Sequence, residues 1–132
     1  MRETFVPTSE VHSYYFHDVE IDGEKLAAAA SGYRPEERKP IPAFEIPEEL
    51  RVNGLKFAIP DGNHRWLLAN ASTGMVKTAI YGPNEPIDVE AHGIEPFRNA
   101  DKPDLYRKTI GIYAMQMGIL DRMHKVFESS ER

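Results

Sequence analysis

The sequence contains no cysteine, which excludes disulfide bridges, thiolate metal ligands and a cysteine nucleophile. It also has no apolar run near the roughly 20 residues needed to cross a bilayer. Its longest uncharged apolar stretch is LAAAA at 26–30, and the segment 1–10 lacks an apolar core of signal-peptide length. These absences predict a cytoplasmic protein with no membrane partner.

A basic excess is missing as well, since 16 Lys and Arg residues face 21 Asp and Glu residues and the net charge is −5. Nonspecific nucleic-acid binding depends on neutralising phosphates, so this balance disfavours broad coating of DNA or RNA. It leaves room for a local site built from a few arginines. The 132 residues, 41% of them hydrophobic, predict one globular domain over 1–132.

Periodicity and turn residues predict an α+β fold in which short strands are interspersed with helices. Strands are predicted at 11–21, 41–46, 55–59 and 75–82, and helices at 24–30, 65–73 and 104–128. Prolines between 35 and 47 restrict that segment to short or edge strands. Further prolines between 83 and 103 predict a long irregular loop.

The predicted C-terminal helix is apolar over more than one face. One stripe runs from Tyr106 to Phe127 and includes Leu120 and His124, and a second lies beside it. Central packing against the sheet explains both stripes, and His124 is then expected in the core or at an interface. The alternative is that the second stripe pairs with another copy, which would make the protein a homodimer through this helix.

The chemistry concentrates in the segment DGNHR, residues 61–65, between a predicted strand and a predicted helix. Free N–H groups at a helix start, together with the helix dipole, favour an anion. Gly62 permits a positive φ or a close approach of the backbone to a ligand. Arg65 can hold phosphate oxygens through two parallel hydrogen bonds, while His64 can donate another or move a proton. Asp61, at the strand end, is suited to binding a metal ion or orienting a hydroxyl.

An ordinary turn explains the same residues, because Pro-Asp-Gly-Asn is a common β-turn sequence. Trp66, directly after the motif, is expected in the core, with stacking on a nucleotide base as the alternative. Arg34, Arg38 and Lys39 form a basic cluster that either faces a nucleotide or nucleic acid or is a solvated loop. His12 and His17 would lie on opposite faces of a strand, which argues against joint metal binding.

The order of strand, D-G-x-H-R, helix and strand resembles the signature of the ParB/sulfiredoxin superfamily. That group includes chromosome- and plasmid-partition proteins, ParB-like nucleases, sulfiredoxin and an archaeal free-serine kinase. Upstream, EKLAAAASGY stands where the family has a helix, and KPIPAFEI resembles its x-P-I-x-V strand. The resemblance covers about 20–83 and implies a small mixed sheet with packed helices, to which 104–128 would add a helical extension.

The resemblance implies that Gly62, His64 and Arg65 bind nucleotide phosphates, with Asn63 in the same turn. Asp61 matches an acid near the accepting hydroxyl in the serine-kinase branch, so Asp61 and His64 are the expected catalytic residues. ATP or another nucleoside triphosphate with Mg²⁺ is the expected cofactor. Asn63 stands where sulfiredoxin has its catalytic cysteine, and a chain without cysteine cannot perform sulfiredoxin chemistry.

Phosphoryl transfer calls for a second acid to hold Mg²⁺ or act as a base. The sequence does not choose among its candidates, so the metal ligands stay unassigned: Glu20, Asp22, Glu36, Glu37, Glu45, Glu48 and Glu49. Three functions remain open. The protein is a Mg²⁺-dependent NTP hydrolase or phosphotransferase, a ParB-like nuclease or DNA-associated accessory protein, or a non-catalytic dimeric interaction module.

Overall fold

The computed structural model describes residues 1–14, 24, 30–32, 34, 39–60, 62–83, 85, 87 and 102–130. Within these residues a five-stranded mixed sheet has the order β1-β5-β3-β4-β2. Its strands are β1 (Arg2–Pro7), β2 (Val11–His12), β3 (Ile41–Glu45), β4 (Phe57–Ala58) and β5 (Met75–Tyr81). The helices are α1 (Asn63–Ala71), α2 (Lys102–Met117) and α3 (Leu120–Ser130). The predicted α+β class is confirmed.

The sheet is curled, as its topology requires. Strands β1 and β2 lie at opposite ends of the strand order, yet only the 3-10 turn Thr8–Glu10 separates them in sequence. The two ends of the sheet must therefore approach each other. Strand β1 pairs antiparallel with β5, β5 parallel with β3, β3 antiparallel with β4, and β4 parallel with β2.

Alternation along β3 divides the core between the two faces of the sheet. Ile41 and Ala43 join one cluster that includes Trp66 and Ala69 of α1. Phe44 joins another cluster on the opposite side, where its ring meets Tyr106 of α2 edge-on. Helix α1 thus covers one face, and the C-terminal helices cover the other.

The C-terminal helical segment differs from the prediction, because it is two helices and not one. Gly118 has a φ of +72° and ends α2. The N–H of Gly118 donates to the Met115 carbonyl, and the N–H of Ile119 donates to the Ala114 carbonyl. This is the Schellman pattern of a helix end. Gly118 therefore redirects the chain within the segment predicted as one continuous helix.

This break also changes which side chains are buried. Met123 of α3 joins Ile110 and Tyr113 of α2 in one cluster. His124 and Leu120, which the continuous periodicity placed on the apolar stripe, are exposed. His124 therefore does not lie in the core, since a turn at Gly118 resets the helical phase, and its expected place at an interface stays a prediction. Homodimerisation through this region stays a prediction.

The N-terminal strand was not predicted, and its exposure explains why. Arg2, Glu3 and Phe5 of β1 are exposed, so this strand at the end of the sheet shows no clean apolar alternation. The strand predicted at 11–21 is limited to β2 within the described residues, and 15–21 lie outside them. The loop predicted at 83–103 also falls largely outside.

The remaining predictions agree with the structure to within a few residues. The strands at 41–46 and 75–82 are present as β3 and β5, whereas the one at 55–59 is reduced to β4. Of the helix predicted at 24–30, Glu24 and Ala30 are helical and 25–29 lie outside the described residues. Ser31 is also helical, and Gly32 lies in a turn. No helix in the described part of the chain is long and apolar enough to span a bilayer.

Candidate functional site

We call the DGNHR segment at 61–65 the motif turn. Gly62, its second residue, directly precedes α1. Its φ of +87° lies in the left-handed region, which disfavours every residue with a side chain. A Cβ placed there would come within 2.8 Å of Cγ2 of Ile41, the first residue of β3. The turn therefore requires glycine both for its backbone conformation and for its contact with β3.

The first turn of α1 presents the positive end of the helix. Its first internal hydrogen bond runs from the Trp66 N–H to the Gly62 carbonyl at 2.9 Å. The N–H groups of Asn63, His64 and Arg65 consequently have no acceptor within the helix. Gly62 provides no capping side chain, and the first turn contains no acidic residue. This end of the helix suits a bound anion.

The side chain of Arg65 folds back over this turn. Its Nη1 donates a hydrogen bond to the carbonyl oxygen of Lys39 at 2.8 Å. Its Nη2 lies 3.4 Å from the position that a Cβ on Gly62 would occupy. The half-buried guanidinium thus adds a fixed positive charge beside the helix start.

The side chain of Asn63 makes two hydrogen bonds to a remote segment, which the sequence did not indicate. Its Oδ1 accepts a hydrogen bond from Ser13 Oγ at 2.6 Å and another from the Tyr14 N–H at 2.9 Å. The side chain predicted to contact a nucleotide therefore anchors the segment that follows β2. Its backbone N–H still belongs to the helix start.

Of the two predicted catalytic residues, only His64 is among the residues that the structure describes. His64 lies in the first turn of α1 and is exposed, so its imidazole is accessible beside the turn. Asp61 lies outside the described residues.

Trp66 packs in the core, as expected for the residue after the motif. It is 5% exposed, and its indole N–H donates to the Thr8 carbonyl at 3.2 Å. Nearby, the Thr8 hydroxyl donates to Asn70 Oδ1 at 2.7 Å. These bonds fasten α1 to the turn between β1 and β2, and a buried indole is not available to stack on a base.

The described acids do not supply an evident second carboxylate. Glu45 is the last residue of β3 and is exposed, whereas the motif turn contacts the first residue, Ile41. Four residues of extended strand put about 13 Å between them. Glu48 and Glu49 are exposed and lie farther along, while the other candidates lie outside the described residues. No group of three or more His, Asp or Glu side chains suited to a metal ion occurs in the described part.

A second polar cluster joins β2 to the C-terminal helices. The buried His12 imidazole has its Nε2 2.6 Å from Oε1 of Gln116, and its ring meets Tyr113 edge-on. The Tyr113 hydroxyl donates to the Leu50 carbonyl at 2.6 Å and accepts from the Val52 N–H at 3.1 Å. Burial raises the pKa of Tyr113 above its ordinary value. This cluster holds elements together on the far side of the sheet from α1.

Three residues beside the motif turn are brought there by tertiary structure alone. The carbonyl of Lys39 meets Arg65, and Ser13 and Tyr14 meet Asn63. The basic cluster containing Lys39 was visible in the sequence, although its proximity to the motif was not. No pattern in the sequence pointed to Ser13 or Tyr14.

The solved structures that partly match this chain include two of one protein. Both are crystal structures of the C-terminally truncated chromosome-partitioning protein ParB from Caulobacter crescentus. One, in complex with CTP-γ-S, aligns with a TM-score of 0.45 and 16% identity over 76% of this chain and 53% of that chain. The other, in complex with the centromeric parS site, aligns with a TM-score of 0.37 and 21% identity over 84% and 57%.

The chain thus spans a little over half the length of those ParB structures. At this level of similarity the matches assign no residue and no ligand to this chain. No protein-family model matches the sequence, and no curated protein is detectably related to it.

Proposed function

We propose that this protein binds a nucleotide by its phosphate groups at the start of α1. The observation that carries the proposal is the position of the Arg65 guanidinium, which folds over the Gly62 turn at the positive end of the helix. Two independent sources of positive potential, a helix end and a guanidinium, converge there. A phosphate is the anion that matches both.

Backbone and side-chain donors at the start of α1 would together bind the phosphate oxygens. The backbone N–H groups at 63–65 would donate to phosphate oxygens, and the Arg65 guanidinium, which also donates to the Lys39 carbonyl, would add charged hydrogen bonds. His64 would donate a further bond. The resemblance of the D-G-x-H-R turn to the ParB/sulfiredoxin signature supports a nucleotide as the source of the phosphate.

Turnover is the further part of the proposal. Asp61 would orient the accepting hydroxyl or water, and His64 would transfer a proton. Mg²⁺ would enter with the nucleotide and neutralise charge on its phosphates. The net charge of −5 disfavours the nuclease and DNA-associated alternatives.

A thermal-shift panel tests the binding. ATP, CTP, GTP and UTP are each added with and without Mg²⁺ to the wild-type chain, to Arg65→Ala and to Arg51→Ala. Arg51 is a matched control, because its Nε also donates to a backbone carbonyl, that of Ile46, at 2.8 Å. A ligand at a hundred times its Kd adds about 2.7 kcal/mol, which corresponds to several degrees in Tm.

The expected result is a nucleotide-dependent rise in Tm for the wild type and Arg51→Ala, and none for Arg65→Ala. The proposal fails if no nucleotide raises the wild-type Tm, or if Arg65→Ala responds as the wild type does. Release of phosphate from the bound nucleotide is then measured, and His64→Ala is expected to abolish it if turnover occurs at this turn.

A further inference from the structure

Two segments that are remote in the sequence flank the start of α1. One contacts the side chain of Asn63, and the other contacts the side chain of Arg65. Asn63 holds the end of the β2 segment through Ser13 and Tyr14. Arg65 holds Lys39, just before β3. Any ligand seated on the first turn of the helix therefore lies within reach of both segments.

The two segments differ in chemistry. Lys39 is exposed, and because its own carbonyl meets the Arg65 guanidinium, its flexible cationic side chain starts beside that charge. On the other segment, Tyr14 is an aromatic residue that is 55% exposed. One flank thus offers positive charge, and the other offers an aromatic surface.

The backbone of Tyr14 is held in place although its side chain is exposed. Its N–H donates to Asn63 Oδ1 at 2.9 Å, and its carbonyl accepts from Gln116 Nε2 at 3.5 Å. Trp66, the aromatic residue nearest the motif in sequence, is 5% exposed and packs in the core. Of these two aromatic residues, Tyr14 is the one whose ring is accessible to a ligand.

We propose that Tyr14 stacks on the base of the bound nucleotide while Lys39 binds its outer phosphates, so that the ligand is a nucleoside di- or triphosphate lying across the start of α1. This inference rests on the proposed function. Stacking on an aromatic ring tolerates every base, because each base has a π-face. Two cations, Arg65 and Lys39, match a polyphosphate better than a single phosphate.

The experiment measures Kd by isothermal titration calorimetry for two probes, a nucleoside triphosphate and inorganic triphosphate. The variants are Tyr14→Ala, Tyr14→Phe and Lys39→Gln, the last of which keeps the carbonyl that Arg65 uses. Phe5→Ala, which removes an exposed aromatic ring of β1, and Lys108→Gln, which removes an exposed cation of α2, are the matched controls.

Tyr14→Ala is expected to weaken the nucleoside triphosphate at least about fivefold, the lower limit for one stacked base. It should leave the affinity for inorganic triphosphate unchanged, because that probe has no base. Tyr14→Phe keeps the ring and should bind as the wild type does. Lys39→Gln should weaken both probes, and the two controls should weaken neither.

The outcomes separate this inference from the function on which it rests. If the wild type binds the nucleotide and Tyr14→Ala binds it equally well, or loses both probes equally, the stacking role is overturned and the phosphate site stands. If Lys39→Gln weakens neither probe, the role of Lys39 is overturned. If the wild type binds neither probe, both the inference and the proposed function are overturned.

Discussion

The guanidinium of Arg65 donates a hydrogen bond to the carbonyl oxygen of Lys39, which is 2.8 Å away and 26 residues earlier in the chain. This bond orients a long, flexible side chain before any ligand arrives. Holding such a side chain in one conformation ordinarily costs about 0.5–1.5 kcal/mol on binding. The structure therefore presents a preorganised cation at the start of α1.

Gly62→Ala is expected to destabilise the fold by about 2 kcal/mol or more. The left-handed conformation alone costs a residue with a side chain about 1–2 kcal/mol. The new methyl group would also press on Ile41, which cannot move without disturbing β3. Urea denaturation measures the loss as a lower midpoint.

Gly32→Ala is the control for that change. A Cβ at Gly32 meets no atom within 4 Å, and the residue lies in an exposed turn without a positive φ. Its free energy of unfolding should change by no more than about 0.5 kcal/mol. Equal effects of the two substitutions would show that the Gly62 contact does not constrain the turn.

Alanine substitutions at Gly111, within α2, and at Gly118, directly after it, should change the stability in opposite directions. Gly111 lies within the helix with open space around it, so Gly111→Ala should stabilise the protein by about 0.5–1 kcal/mol. Gly118 has a φ of +72°, so Gly118→Ala should destabilise it by about 1–2 kcal/mol. Thermal unfolding of both variants checks the pair. Stabilisation by Gly118→Ala would favour the single continuous helix that the sequence indicated.

Tyr113→Phe is expected to cost about 1–3 kcal/mol, because it leaves a buried carbonyl and an amide without their partner. The hydroxyl connects α2 to Leu50 and Val52 on the segment between β3 and β4. Tyr106→Phe retains that residue's ring contacts and should cost less than half as much. The free energy of unfolding in urea is the measurement, and equal costs would contradict the assigned role of the hydroxyl.

Alkaline pH should destabilise the protein through the same region. Burial raises the pKa of Tyr106 and of Tyr113 from the ordinary value of 10.0. A raised folded-state pKa contributes stability that is complete below about pH 10 and is lost as pH rises through the folded-state value.

Ultraviolet titration of tyrosinate should therefore show a late fraction among the six tyrosines, and Tyr113→Phe should reduce it. Stability measured across the same pH range should fall less steeply in that variant. A single early titration of all the tyrosines would contradict the account.

The sequence predicted the elements around the motif well because their signals are local. Gly62 with its positive φ, the helix after it and the strand at 75–82 follow from turn chemistry and periodicity. The helix break at Gly118 was missed because apolar residues continue on both sides of it. The edge strand β1 was missed because its exposed residues do not alternate in polarity.

The contacts around the candidate site could not be predicted from the sequence and are visible only in the folded structure. Nothing local to Asn63 indicates that its oxygen binds the segment at 13–14, and nothing local to Lys39 indicates that its carbonyl meets Arg65. Both contacts join segments that are far apart in the sequence and adjacent in the fold, because β4, which leads to the motif, pairs with both β2 and β3. The turn at 61–65 is therefore predictable from the sequence, whereas the segments that flank it are known only from the tertiary structure.

The most direct test of the central claim is a nuclear magnetic resonance titration of the ¹⁵N-labelled chain with a nucleoside triphosphate and Mg²⁺. Phosphate binding at the start of α1 predicts that the largest amide shifts occur at Gly62, Asn63, His64 and Arg65, where phosphate oxygens would accept hydrogen bonds from the helix start. Saturating spectra in which these amides do not move, or in which the shifts concentrate on α2 and α3, would contradict it.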